Sequence, residues 1–183
     1  MYSRMYLCCS FLFYFQMAFP DIANKFEPFI FNKSLMSQSI QVSSPVIASN
    51  GTIPSKYTCD GANVNPPLEL KGIPKAAKTL ALIVDDPDAP AGVWVHWVVW
   101  NIPVATQLAE HSVPGMQGIN DFGKRNYGGP CPPSGTHRYF FKIYALDSEL
   151  NLPESATKEQ LEKAMKNHIL AKGELIGLYK RQK

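Results

Sequence analysis

The chain has 183 residues, 45% hydrophobic and 18% charged, which suits one globular domain able to bury roughly two thirds of its unfolded surface. A formal charge of +3 with scattered lysines excludes nucleic-acid binding through a basic face. Fifteen prolines and twelve glycines argue against a helical bundle and for many short strands and turns.

Residues 1–35 stand apart as an apolar N-terminal extension, and residues 36–183 are expected to form a single domain. Met1 to Phe19 is rich in Phe and Tyr, with Arg4 its only charge, and has the outline of a signal peptide. Its cleavage signal is poor, and the apolar run is short of the roughly 20 residues of a transmembrane helix. Three readings stay open: a mis-called start with Met36 as the true one, an export or anchor segment, or an ordered extension. The first implies a cytoplasmic protein, the second an exported or membrane-anchored one.

Ser39 to Val42 alternates briefly before Pro45 and Asn50-Gly51. Thr79 to Val84 is a continuous apolar run, short enough for a strand buried on both faces. Trp94 to Asn101 is β-branched and aromatic throughout, and period-2 geometry predicts a common face for Trp94, His96, Val98 and Trp100. Leu108 to Gly123 reads as loop. Arg138 to Leu146 is another strand, with Tyr139 on the side of His137. Thr157 and Gln160 form a capping box for one helix, in which Leu161, Ala164, Met165 and His168 share a packed face and Gly173 provides the stop. Glu174 to Tyr179 reads as a last short strand.

Chemistry concentrates in two proline-stiffened segments. In Asp86-Pro87-Asp88-Ala89-Pro90 the prolines restrict the backbone, so that two carboxylates have few directions to point. His96 follows on the next strand, and His137 enters a strand after a Gly- and Pro-rich loop. A carboxylate that orients a histidine makes a cationic donor for an anion, to which Tyr139 can add a neutral one. Alternatives are a plain turn capped by the aspartates, a mononuclear metal site of His96, His137 and Asp86 or Asp88, and a nucleophilic Cys131. Cys59 and Cys131 both lie in turn-like segments and are either paired or free.

Asp86 to Pro90, Trp94 to Pro103 and Gly128 to Leu146 resemble the phosphatidylethanolamine-binding protein family, in particular its bacterial and archaeal Raf-kinase-inhibitor-like branch. Tyr57 to Gly61 and Asn120 to Gly123 carry the same likeness, which runs from about Ile40 to Tyr179. The resemblance implies a mainly β fold: a large antiparallel sheet packed on a smaller one, with a short C-terminal helix. It implies a pocket for phosphate or a phosphoryl head group, built here from Asp86, His96, His137 and Tyr139. Trp94, Pro90 and Pro133 would wall it, and Asp88 would buttress the turn. With no activated nucleophile beside it, the pocket suits a non-catalytic binder without a cofactor, one that acts on a protein partner such as a kinase or protease. Membrane contact would arise only through residues 1–19 retained as an anchor. The eukaryotic branch often has two adjacent histidines where this chain has Val95-His96, so the anion-binding groups carry over rather than lipid preference or kinase regulation. The rival expectation is a hydrolase using the same cluster, with or without a metal.

Overall fold

The structure, a computed structural model, describes residues 38–181; the N-terminal extension lies outside them. The apolar run at 79–84 sits in the middle of the larger sheet, where only a strand covered on both faces is stable. The strands in chain order are β1 (Gln38–Ser39), β2 (Gln41–Ser43), β3 (Gly51–Thr52), β4 (Leu68–Lys71), β5 (Thr79–Asp86), β6 (Trp94–Pro103), β7 (Gln107–Leu108), β8 (Met116–Gln117), β9 (His137–Leu146) and β10 (Ile169–Tyr179). The helix α1 spans Lys158–Met165. The larger sheet has the order β1-β10-β9-β5-β6-β8, with β3 also on β10, and the smaller has β2-β4-β7. All pairs between long strands are antiparallel; the two-residue β1 and β3 join β10 in parallel.

All eight residues of β5 are buried. Leu80, Leu82 and Val84 face the small sheet, packing with Phe141, Ile143, Leu68 and Leu70. Ala81 and Ile83 face the helix, with Trp100, Leu161 and Met165. Each fully buried aliphatic or aromatic side chain contributes roughly 1.5–3 kcal/mol, so the sheet centre is a firm platform for groups at its ends. Among the described residues no helix is long and apolar enough to cross a membrane.

Four sequence expectations are corrected. The face shared by Trp94, His96, Val98 and Trp100 does not form, because the β5–β6 register shifts between Val84 and Asp85. The extra residue in β6 reverses the alternation: Val98 and Trp100 pack under the helix, while the His96 ring meets Tyr139. The helix ends at Met165, and His168 lies beyond it with Nδ1 2.8 Å from Asp147 Oδ1. Gly173 is not a helix stop; it lies inside β10, where a Cβ would overlap the carbonyl oxygen of Ile40. The last strand begins at Ile169 rather than Glu174, because β9 offers it a partner along its whole length. The capping box is present, with Gln160 Oε1 accepting the N–H of Thr157 at 2.9 Å.

Candidate functional site

Three adjacent strands end at the same edge of the larger sheet: β5 with Asp86, β6 starting at Trp94, and β9 starting at His137. Period 2 sends Asp86 to one face and Asp85 to the other. Asp86 Oδ2 accepts a hydrogen bond from His137 Nδ1 at 2.8 Å, and Asp86 Oδ1 accepts the N–H of Asp88 at 2.8 Å. The carboxylate therefore orients the imidazole and closes its own turn. His96 Nδ1 donates to the carbonyl of Gly128 at 2.6 Å. A carbonyl only accepts, so the proton of neutral His96 resides on Nδ1. Both rings engage the protein through Nδ1, which leaves Nε2 as the atom able to meet a ligand.

The His96 ring packs edge-on against Tyr139, centroids 5.2 Å apart. Tyr139 is fully buried, and its Oη makes no hydrogen bond of good geometry, although the Asp86 carboxylate and the Cys131 backbone lie near it. Burial first, and then the charge of Asp86, push its pKa well above the ordinary phenol range, so it stays a neutral donor. An unpaired buried hydroxyl costs about 1–3 kcal/mol and calls for an explanation. Burial also lowers the pKa of His96, opposed more weakly by the Gly128 carbonyl and by the charges of Asp86 and Asp121. The four groups named from sequence thus converge.

The other four differ in place. Trp94 is half-buried and stands edge-on to Phe122 at 5.5 Å. Asp88 turns away to Arg138, accepting from its N–H at 2.9 Å, its Nε at 2.9 Å and its Nη2 at 2.7 Å. These bonds hold the Asp88 pKa down at about 2 and tie the turn to β9. Pro90 and Pro133 are exposed. Pro133 borders a groove of about 740 Å³ with Thr52, Ser134, Leu178 and Arg181, whose lining does not include the two imidazoles. Among the described residues no three His, Cys, Asp or Glu side chains are grouped to hold a metal.

Sequence reasoning passes over the clip that places His96. Asn120, read as part of a loop, is buried; its Nδ2 donates to the carbonyls of His96 (3.1 Å) and Asn126 (2.8 Å), and its Oδ1 accepts from the N–H groups of Phe122 and Lys124. Asp121 Oδ2 accepts the N–H of Val95 at 2.7 Å. The available signal is an Asn-Asp pair before an aromatic and a glycine, the chemistry of a side-chain-closed turn. The segment after Tyr127 is held from the other side by a disulfide between Cys59 and Cys131, whose Cα atoms are 5.4 Å apart. This removes Cys131 as a nucleophile. Gly129 is glycine because a Cβ there would come within 2.6 Å of the Tyr57 carbonyl oxygen.

Two packed sheets, with four polar groups brought together at the ends of adjacent strands, make this a two-sheet β protein. The chain belongs to the phosphatidylethanolamine-binding protein family, whose profile matches residues 43–180. It is 54% identical over 139 residues to a UPF0098 protein of Methanothermobacter thermautotrophicus, covering 72% of this chain and 92% of that one. A UPF0098 protein of Pyrococcus abyssi is 49% identical over 156 residues, covering 79% of this chain and 87% of the relative. Among solved structures, a phosphatidylethanolamine-binding protein homolog from Chlamydia trachomatis superposes with a TM-score of 0.76 at 43% identity, over 80% of this chain and all of that one. YbcL of E. coli, a member of the mammalian PEBP family, gives a TM-score of 0.73 at 30% identity, over 79% and 99% of the two chains.

Proposed function

We propose that this is a non-catalytic binding or regulatory protein whose Asp86–His96–His137–Tyr139 cluster takes a small oxyanion, phosphate or a phosphoryl head group. The observation that carries this is the buried, unpartnered hydroxyl of Tyr139 beside two imidazoles with Nδ1 engaged by the protein. An entering oxyanion would give the phenol a well-placed acceptor and would meet the Nε2 atoms of both rings, whose Nδ1 atoms the protein already engages. Each charge-assisted bond is worth about 1.5–3 kcal/mol net. Ordering and desolvation consume much of it, so affinity in the millimolar to micromolar range is expected. Such affinity suits a sensor that acts on a protein partner, for which a kinase or a protease is the proposed class. The Cys59–Cys131 disulfide supports export to an oxidising compartment over the cytoplasmic alternative.

Titration with inorganic phosphate and with phosphoethanolamine, followed through the ring resonances of His96 and His137, is expected to give saturable shifts. His137→Ala is expected to weaken binding by about tenfold or more, one lost charge-assisted bond. Resonances that stay still up to saturating phosphate would end the proposal.

Acidity gives a second check. His96 offers an Nε2–H donor only when protonated, and its pKa lies below the ordinary histidine value, with Asp86 and Asp121 the charges that favour the proton. Binding of sulfate, whose own charge is constant over the range, is therefore expected to tighten and take up a proton as pH falls from about 8 toward 5. Without a ligand the sign for stability is opposite. The unfolded chain holds the His96 proton more tightly, so the contribution of this group is present above the ordinary histidine pKa and lost as pH falls through the lowered folded value. Sulfate affinity independent of pH would remove charged His96 from the site.

A further inference from the structure

Phe122 lies against the His96 ring, beside Trp94. It is 41% exposed, whereas His96 behind it is 3% exposed. Its ring meets the His96 ring edge-on at 5.4 Å and Trp94 at 5.5 Å. It also lies against Gly128, where a Cβ would come within 2.6 Å of a ring carbon; this close approach is why position 128 has no side chain. The same ring borders a cavity of about 130 Å³, lined further by Asn63, Lys124, Asn126, Gly128 and the Cys59–Cys131 bridge. Phe122 is thus a partition between an open chamber and a closed imidazole.

The backbone under the ring is fixed. Asn120 Oδ1 holds the N–H groups of Phe122 and Lys124, and Asp121 is hydrogen-bonded to Val95 through both its N–H and its side chain. The partition therefore opens by rotation of the Phe122 side chain, a fast motion for an exposed residue. No displacement of the loop is needed.

We propose that Phe122 is the gate and size filter of the cluster, and that the adjoining cavity receives the substituent of a bound phosphomonoester. This rests on the oxyanion reading above. A chamber of about 130 Å³ has room for a compact substituent, and the Phe122 ring at its border limits what larger group can pass from it toward His96. Its lining is mostly apolar, with Lys124 and the Asn63 and Asn126 amides as the polar groups at its border.

The test compares wild type with Phe122→Ala and Phe122→Leu in two arms. In the first, without ligand, acylation of His96 by diethyl pyrocarbonate is followed by peptide mass spectrometry. Phe122→Ala is expected to accelerate it by about tenfold, with Phe122→Leu between, as a buried ring becomes accessible. In the second, affinities for phenyl phosphate and inorganic phosphate are compared. Their ratio is expected to shift by about tenfold toward phenyl phosphate in Phe122→Ala, the low end of what a hydrophobic size filter discriminates. An unchanged acylation rate, or an unchanged ratio in a variant that binds phosphate, overturns the gate. Faster acylation in a protein whose wild type ignores phosphate supports the gate and overturns the oxyanion reading instead.

Discussion

Replacing Cys59 and Cys131 by serine is expected to cost roughly 4 kcal/mol of folding stability, the chain-entropy value for a bridge spanning 72 residues. The native fold has other ties at the same place. Cys59 N–H donates to the Pro130 carbonyl at 3.1 Å, Gly129 N–H to Asn63 Oδ1 at 2.7 Å, and Tyr127 Oη to the Tyr57 carbonyl at 2.9 Å. The loop that supplies the Gly128 acceptor is thus expected to keep its place in the folded variant. The loss falls on the unfolded state, which gains freedom. Urea unfolding of the oxidised protein and the double-serine variant measures the difference, and the phosphate affinity of the folded variant is expected to stay within about twofold. A stability loss under about 1 kcal/mol would show that the bridge constrains little in the unfolded chain.

Asp85→Asn is expected to destabilise by about 3–5 kcal/mol, the range for removing one member of a buried ion pair. Asp85 is fully buried, with Lys142 Nζ 2.8 Å and Lys158 Nζ 2.6 Å from its carboxylate. Lys158 is the first residue of α1, so this ion triad ties the helix to the sheet as the apolar contacts of Leu161 and Met165 do. An amide takes the buried counter-charge from both ammonium groups, leaving Lys158 only the more distant Glu162 Oε1 at 3.9 Å. Adding Lys158→Met to Asp85→Asn is expected to restore part of the loss, because residues in one network are not additive. Denaturation midpoints of the two single variants and the double one measure this; a strictly additive double variant would mean that the groups are not coupled.

The long strands are legible in the sequence because β5 and β9 are runs of apolar and aromatic residues with few competing signals. The site is legible in outline because prolines cluster around its carboxylates and glycines around its second histidine. The bulge beside His96 is not, since nothing in Trp94-Val95-His96-Trp97 differs from a regular strand. The extra residue follows from pairing with β5, a partner outside any local window. The second shift, between Leu80 and Leu82, leaves a better trace: Asn101 takes φ 51° there and exchanges hydrogen bonds with Leu150, a conformation that asparagine tolerates better than most residues. Lys166 to Ala171 continues a helical pattern, yet β9 captures the chain from Ile169 onward, tertiary pairing overriding propensity. Phe122 is unreadable as a site residue because an aromatic in a polar turn carries no mark of what it covers.

The neighbouring carboxylates Asp85 and Asp86 at the end of β5 fix the length of that strand twice over. Inserting or deleting one residue between Thr79 and Asp85 would exchange the duties of the two acids. The helix's counter-ion would swing toward the imidazoles, and the imidazoles' partner toward the ammonium groups. A change of chain length would instead be tolerated in the exposed stretch from Ala91 to Val93, where no buried acid changes sides.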